Sequence, residues 1–236
     1  MDGAADRLAV VTGAAGGIGR AITAALTEAG HPVVGLDLRA EADRSAVAAL
    51  AADLTDPQQI EEAFDWIEER YGLPAVLVNN AGRYDARDFL DYTPESYRAV
   101  LDANLGSAFF CTQGLAHRLI AAGRPGDVVN IASISGQTGS PDTAYCASKG
   151  AVIALTQGLG RSLAAHRIRV NAVAPGVIDT AMAAAIPAER AQEYRERIPL
   201  GRFGRPEEIA AAVRYLVSPA ARYVTATVLD VNGGLH

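Results

Sequence analysis

A chain of 236 residues, 50% hydrophobic and 20% charged, is long enough for one α/β domain with a substantial core and short for two. Its net charge of −6, with no stripe of clustered Lys and Arg, argues against a binder of nucleic-acid phosphates. No apolar run reaches the ~18 residues of a membrane span, the acidic N-terminus lacks a signal-peptide plan, and neither Cys111 and Cys146 nor four scattered histidines make a disulfide or metal set. A cytoplasmic, metal-free protein is expected.

In chain order, strands are predicted over 8–12, 33–37, 48–52, 75–79, 127–132, 168–172 and 227–231. Helices are predicted over 17–29, 57–70, 94–122, 144–165 and 206–217. Asp56-Pro57 and Thr93-Pro94-Glu95 each set a capping side chain before a proline at the first helical position. The strands are Val, Ile, Leu and Ala without clean two-residue alternation, the pattern of strands buried on both faces. Strand–helix repetition then implies a three-layer, doubly wound parallel sheet of seven strands in a single domain, 1–236. The connection between Asp37 and Ala48 is too short for a full crossover helix. The Ala-rich stretch 181–201, with Pro187 and Pro199, breaks the rhythm and reads as a flap beside the site.

The first strand runs directly into TGAAGGIGRA. Gly13, Gly17 and Gly19 lie where strand turns into helix, so backbone can approach a pyrophosphate and helix N-terminal N–H groups can meet it. Asp37 closes the second strand, where a dinucleotide fold sets a carboxylate on the adenosine ribose. That charge repels a 2′-phosphate and favours NAD over NADP; Arg39 is the counter-signal. Of 21 basic residues, Lys149 alone is lysine. Tyr145 precedes it by four, so on a helix the two share a face at ~5–6 Å between Cβ atoms. An ammonium there is expected to lower a phenol's pKa from ~10 toward the working range. Ser133, at the end of the neighbouring strand, can donate to the same substrate oxygen.

Together TGAAGGIG, Asn79-Asn80-Ala81-Gly82, Asn104, Ser133, Tyr145-Cys-Ala-Ser-Lys149 and Asn171-Ala-Val-Ala-Pro175-Gly176, in this order, closely resemble the short-chain dehydrogenase/reductase family, from Arg7 to Gly234. The resemblance implies a Rossmann fold and a hydride transfer between NAD(H) and a secondary alcohol/ketone pair. It makes Tyr145 the acid/base, Ser133 the donor to the substrate oxygen, Lys149 the ribose holder and Asn104 the anchor of a proton-relaying water. It assigns the cofactor Gly13, Gly16, Gly17, Ile18, Gly19, Asp37, Leu38, Asp53, Leu54, Asn80, Ala81, Gly82, Tyr145, Lys149, Pro175, Gly176, Ile178 and Thr180. Relatives that prefer NADP usually carry a basic residue where this chain has Gly16 or Leu38, which again favours NAD.

A mostly apolar substrate pocket of Tyr84, Ser133, Ser135, Gln137, Val177, Met182 and Ile186 is expected, suiting a cyclic alcohol, a hydroxyacyl group or a sugar-like polyol. The family resemblance further implies a homo-oligomer, tetramer or dimer. The departure at Thr225-Ala226, where relatives commonly have Thr-Gly, suggests a slightly different turn. An NADP-dependent 3-oxoacyl-thioester reductase is the nearest rival. A non-catalytic dinucleotide sensor would be expected to lack the serine or the Tyr/Lys pair, and a same-fold epimerase or dehydratase usually carries a further substrate lobe.

Overall fold

Seven parallel strands form one sheet in the order β3-β2-β1-β4-β5-β6-β7, with the reversal of winding between β1 and β4. The computed structural model describes residues 7–181, 183 and 188–235. The strands are β1 (Ala9–Thr12), β2 (Val33–Asp37), β3 (Ala48–Ala51), β4 (Val76–Asn79), β5 (Gly126–Ile131), β6 (Ile168–Pro175) and β7 (Val228–Val231). Every residue of β1, β4 and β5 is buried, the expected state of central parallel strands covered on both faces.

Alternation along the strands divides the core in two. Val10, Val34, Leu36, Leu77, Val128, Ile168 and Val170 point to one face and pack with Phe64 of α2 (Pro57–Tyr71) and Leu115 and Leu119 of a later helix over Ser107–Ala121. Ala9, Val11, Val33, Val76, Val78, Val129 and Val173 point to the other, against Ile22 and Leu26 of α1 (Gly17–Glu28) and Ile209, Val213 and Leu216 of a C-terminal helix over Pro206–Val217. Successive side chains on a strand face opposite ways, so one apolar run serves both layers. Residues 38–47 carry no helix, as their shortness required.

The Asp56 carboxylate accepts the Gln58 N–H to open α2, and Thr93 and Ser96 cap α3 (Pro94–Leu101) reciprocally. The predicted single helix over 94–122 is in fact three pieces: α3, a π-helical turn over Asp102–Gly106, and α4 (Ser107–Ala121). Hydrophobic periodicity cannot reveal one inserted residue in a helix that continues on both sides. A short α5 (Ser135–Thr138) precedes α6 (Thr143–Ser162), and β6 runs to Pro175, three residues beyond its predicted end. The stretch expected as a flap contains α7 (Ala188–Arg197), and α8 (Pro206–Val217) follows.

The Thr225-Ala226 turn is a glycine-type turn occupied by alanine. Ala226 adopts φ 60°, in the left-handed region, and its N–H reaches the Val170 carbonyl at 2.8 Å. An alanine in this conformation is strained.

Candidate active site

The carboxyl ends of β1, β4, β5 and β6 open onto one cleft enclosing about 360 Å³. This is the edge of an α/β sheet where its winding reverses and where ligands collect.

Glycine shapes the cleft floor. Gly13 turns the chain at φ 64°, and a Cβ there would stand 2.9 Å from both the Ala81 Cα and the Asn80 Nδ2. A Cβ on Gly19 would come within 2.1 Å of the Gly13 carbonyl oxygen, and one on Gly17 within 3.2 Å of the Thr180 methyl. Asn80 fastens the turn from beneath, its amide donating to the Thr12 and Gly13 carbonyls at 3.0 Å each. The Asn80 and Ala81 N–H groups both donate to the Thr12 hydroxyl. Gly16 caps α1, whose first turn holds no acidic residue, so its positive end is left for a ligand's charge. From the tip of β2, Asp37 accepts the Ala15 N–H at 3.0 Å and faces the same cleft.

Ser133, just past β5, and Tyr145 and Lys149, one turn apart on α6, converge on the cleft wall. The Ser133 oxygen accepts the Ser135 N–H at 3.1 Å, which leaves its hydroxyl proton for another acceptor. Burial raises the Tyr145 pKa above the ordinary phenol value, with a hydrogen bond from Ser133 pulling the other way. The expected depression by Lys149 is not present. Its ammonium lies 5.8 Å from the Tyr145 ring centre and donates instead to the Ile131 carbonyl at 2.7 Å. Lys149 is 4% exposed, and this burial brings its own pKa down to about 8.

Asn104 stands in the π turn, 1% exposed. Its Oδ1 accepts the Arg83 N–H at 2.6 Å, and its Nδ2 donates to the Arg83 carbonyl at 3.0 Å and the Ser148 hydroxyl at 2.8 Å. These bonds clamp the segment after Gly82 to α6. Gly82 fits closely beneath: a Cβ there would meet the Asn104 Oδ1 at 3.0 Å and the Lys149 Nζ at 3.5 Å.

Gly13, Gly16, Gly17, Ile18, Gly19, Asp37, Asn80, Gly82, Pro175, Gly176, Ile178 and Thr180 all line the cleft, as do Tyr84, Ser135 and Val177. Several expected contacts do not. Leu38 is 72% exposed and Ala81 contributes only backbone beneath the turn. The Asp53 carboxylate folds back onto the Thr55 N–H and hydroxyl, and the Leu54 side chain belongs to the core. Gln137 is turned away, its amide donating to Asp230 at 2.8 Å. Met182 and Ile186 lie outside the described residues.

The sequence reading overlooked Asp142, Arg190, Tyr194 and Leu235, which also line the cleft. Arg190 and Tyr194 are four apart on α7, a spacing that could have paired them, but nothing local ties either to Asp142. Among the described residues no helix is long and apolar enough to cross a membrane, and no group of His, Cys, Asp and Glu could hold a metal.

A nicotinamide dinucleotide suits this arrangement. The absence of a side chain at Gly13 and Gly19 lets the turn fold tightly onto its own backbone at the start of α1, and a cleft leads from this turn to Tyr145 and Ser133. The family model described as enoyl-(acyl carrier protein) reductase matches residues 13–236. The 3-oxoacyl-(acyl-carrier-protein) reductase of Thermotoga maritima is 38% identical over 240 residues, covering 97% of each chain. A crystal structure of a short-chain type dehydrogenase/reductase from Mycobacterium marinum superimposes with a TM-score of 0.91 at 32% identity, over 97% of this chain and 95% of that one. A second, from Agrobacterium tumefaciens, of a proposed 2-deoxy-d-gluconate 3-dehydrogenase with bound NADP, gives 0.87 at 38% identity, over 97% and 96%. With its seven-stranded Rossmann sheet and its glycine cradle leading to a serine, a tyrosine and a lysine, this chain belongs to the short-chain dehydrogenase/reductase family of nicotinamide-dependent oxidoreductases.

Proposed function

We propose that the protein is an NAD-preferring dehydrogenase that interconverts a secondary alcohol and a ketone. The observation that carries the reading is the convergence of Ser133 and Tyr145 on one cleft wall, with Lys149 beneath them at the end of a glycine cradle. When bound, the nicotinamide supplies the hydride acceptor or donor; the protein supplies orientation and proton handling.

In the reductive direction the Tyr145 phenol gives its proton to the substrate oxygen, and in the oxidative direction the phenolate, the form that burial disfavours, takes the alcohol proton. The Ser133 hydroxyl donates to the substrate oxygen and steadies charge that builds there. Lys149, held at the Ile131 carbonyl, has N–H groups left to bind a ribose hydroxyl from below. Asn104 positions the loop and helix that carry these groups.

Asp37 supports NAD over NADP, because its carboxylate is fixed to the Ala15 N–H at the glycine turn, where a 2′-phosphate would meet it. Arg39, the counter-signal, is exposed and lies 3.6 Å from Glu41. The NADP-dependent 3-oxoacyl reductase remains the second reading, favoured by the likeness to the Thermotoga enzyme. The test is a spectrophotometric screen of secondary alcohols with NAD and NADP. Oxidation at a kcat/KM at least tenfold higher with NAD supports the reading, and NADP preference with a 3-oxoacyl thioester overturns it. We further propose a homo-oligomer, a tetramer or dimer, through the α3–α4 surface where Tyr97, Phe109, Phe110 and Ile120 stand 38–45% exposed.

A further inference from the structure

We propose that Asp142 and Arg190 form a charge-balanced hydroxyl-recognition pair, which selects substrates bearing a second hydroxyl beside the reacting one, diols and polyols, over simple alcohols and acyl thioesters. This rests on the dehydrogenase reading above and names its substrate class.

Asp142 occupies the N-cap position of α6, where an aspartate ordinarily bonds the first turn, yet its side chain makes no such bond. It is 8% exposed, and its two oxygens accept from Arg190 at 3.3 and 2.6 Å. The same guanidinium donates to the Tyr194 hydroxyl at 3.0 Å. Tyr84 completes the group: it lines the same cleft, and its ring stands edge-on to that of Tyr145, with centres 5.4 Å apart. Asp142 stands at the N-cap of α6, three residues before Tyr145, and both line the cleft. All of these side chains line the cleft that holds Ser133 and Tyr145.

A hydroxyl both donates and accepts, and it carries no charge. The pair offers a carboxylate acceptor beside guanidinium and phenol donors, and the two charges cancel, so a neutral hydroxyl can bond to it from either side. A carboxylate or phosphate would have to displace Asp142 from Arg190. A saturated acyl chain would cover both groups and satisfy neither, which is the circumstance in which sites built for hydrogen bonding reject an analogue most strongly. Since Arg190 belongs to α7, the pair also ties the flap to the start of the catalytic helix.

The experiment compares kcat/KM for 2,3-butanediol, sorbitol, 2-butanol and, in reverse, an acetoacetyl thioester, with the full chain and saturating NAD(H). The wild type is expected to favour the diol over 2-butanol by tenfold or more. In Asp142→Asn and Arg190→Met the diol-to-2-butanol ratio should fall by roughly 10- to 100-fold, mainly through KM, with Arg190→Lys between them and wild type. A purely structural role would lower both substrates together and leave the ratio where it was. A wild-type ratio near one, a preference for the thioester, or an unchanged ratio in both variants overturns this proposal while the dehydrogenase reading stands. If none of the substrates turns over with NAD(H), nor when the assay is repeated with NADP(H), the underlying reading fails and the proposal falls with it.

Discussion

Lys149→Met should give a protein that is inactive and more stable than the wild type. The ammonium is buried, finds one protein acceptor in the Ile131 carbonyl, and has three N–H groups to satisfy. Its pKa falls from 10.5 to about 8. At ~1.4 kcal/mol per pH unit, holding this group in the fold costs about 3 kcal/mol at neutral pH. Between the folded and unfolded values the unfolded chain binds the proton that the folded chain has released, so wild-type stability rises as pH climbs from about 8 to 10.5. Methionine retains an apolar stem for the same space and has no charge to desolvate. Urea unfolding at pH 7 should therefore favour Lys149→Met by about 2–3 kcal/mol, and at pH 10 the gap should shrink toward the difference in packing alone. A variant less stable than wild type at pH 7, or a gap that does not narrow with pH, would refute the reasoning. On the proposed function, the destabilising lysine is retained because the reaction needs a compact cation there, a trade of stability for activity.

Ala226→Gly should relieve the left-handed alanine at φ 60°; the relief of ~1–2 kcal/mol, less glycine's extra entropy of ~0.5–1, raises Tm by about 2 °C by calorimetry. Asn104→Ala removes three hydrogen bonds from a buried position and should cost about 2–4 kcal/mol in urea unfolding, with the segment at Arg83 becoming protease-sensitive. Asp37→Ser should weaken NAD binding and raise the NADP-to-NAD ratio of kcat/KM by about tenfold or more; an unchanged ratio would remove Asp37 as the discriminator. Light scattering on the purified chain should give a homo-oligomer, and Phe109→Glu together with Phe110→Glu should dissociate it.

Most of the sheet is legible in the sequence because each central strand is a short Val/Ile/Leu run bounded by a cap or glycine, and burial on both faces erases the alternation that would otherwise blur the assignment. The glycine cradle is legible for a related reason: Gly13 and Gly19 meet backbone so closely that no other residue fits. What could not be read is non-local or lies within a helix. The π turn around Asn104 inserts one residue without breaking the apolar pattern. The Asp142–Arg190 pair joins positions 48 residues apart, one at the start of α6 and one on α7. Gln137 follows Ser133 closely, yet the short α5 turns its side chain to Asp230. The balance of burial and charge on Tyr145 depended on where the Lys149 ammonium points, which spacing alone does not determine.

On the proposed function, the Tyr145 oxygen moves the proton. Stopped-flow NADH binding and steady-state turnover, measured together on Tyr145→Phe, test it directly. Turnover should fall by ~10²–10⁴-fold while the NADH Kd stays within about twofold of wild type. Turnover retained at near wild-type rate would contradict the account.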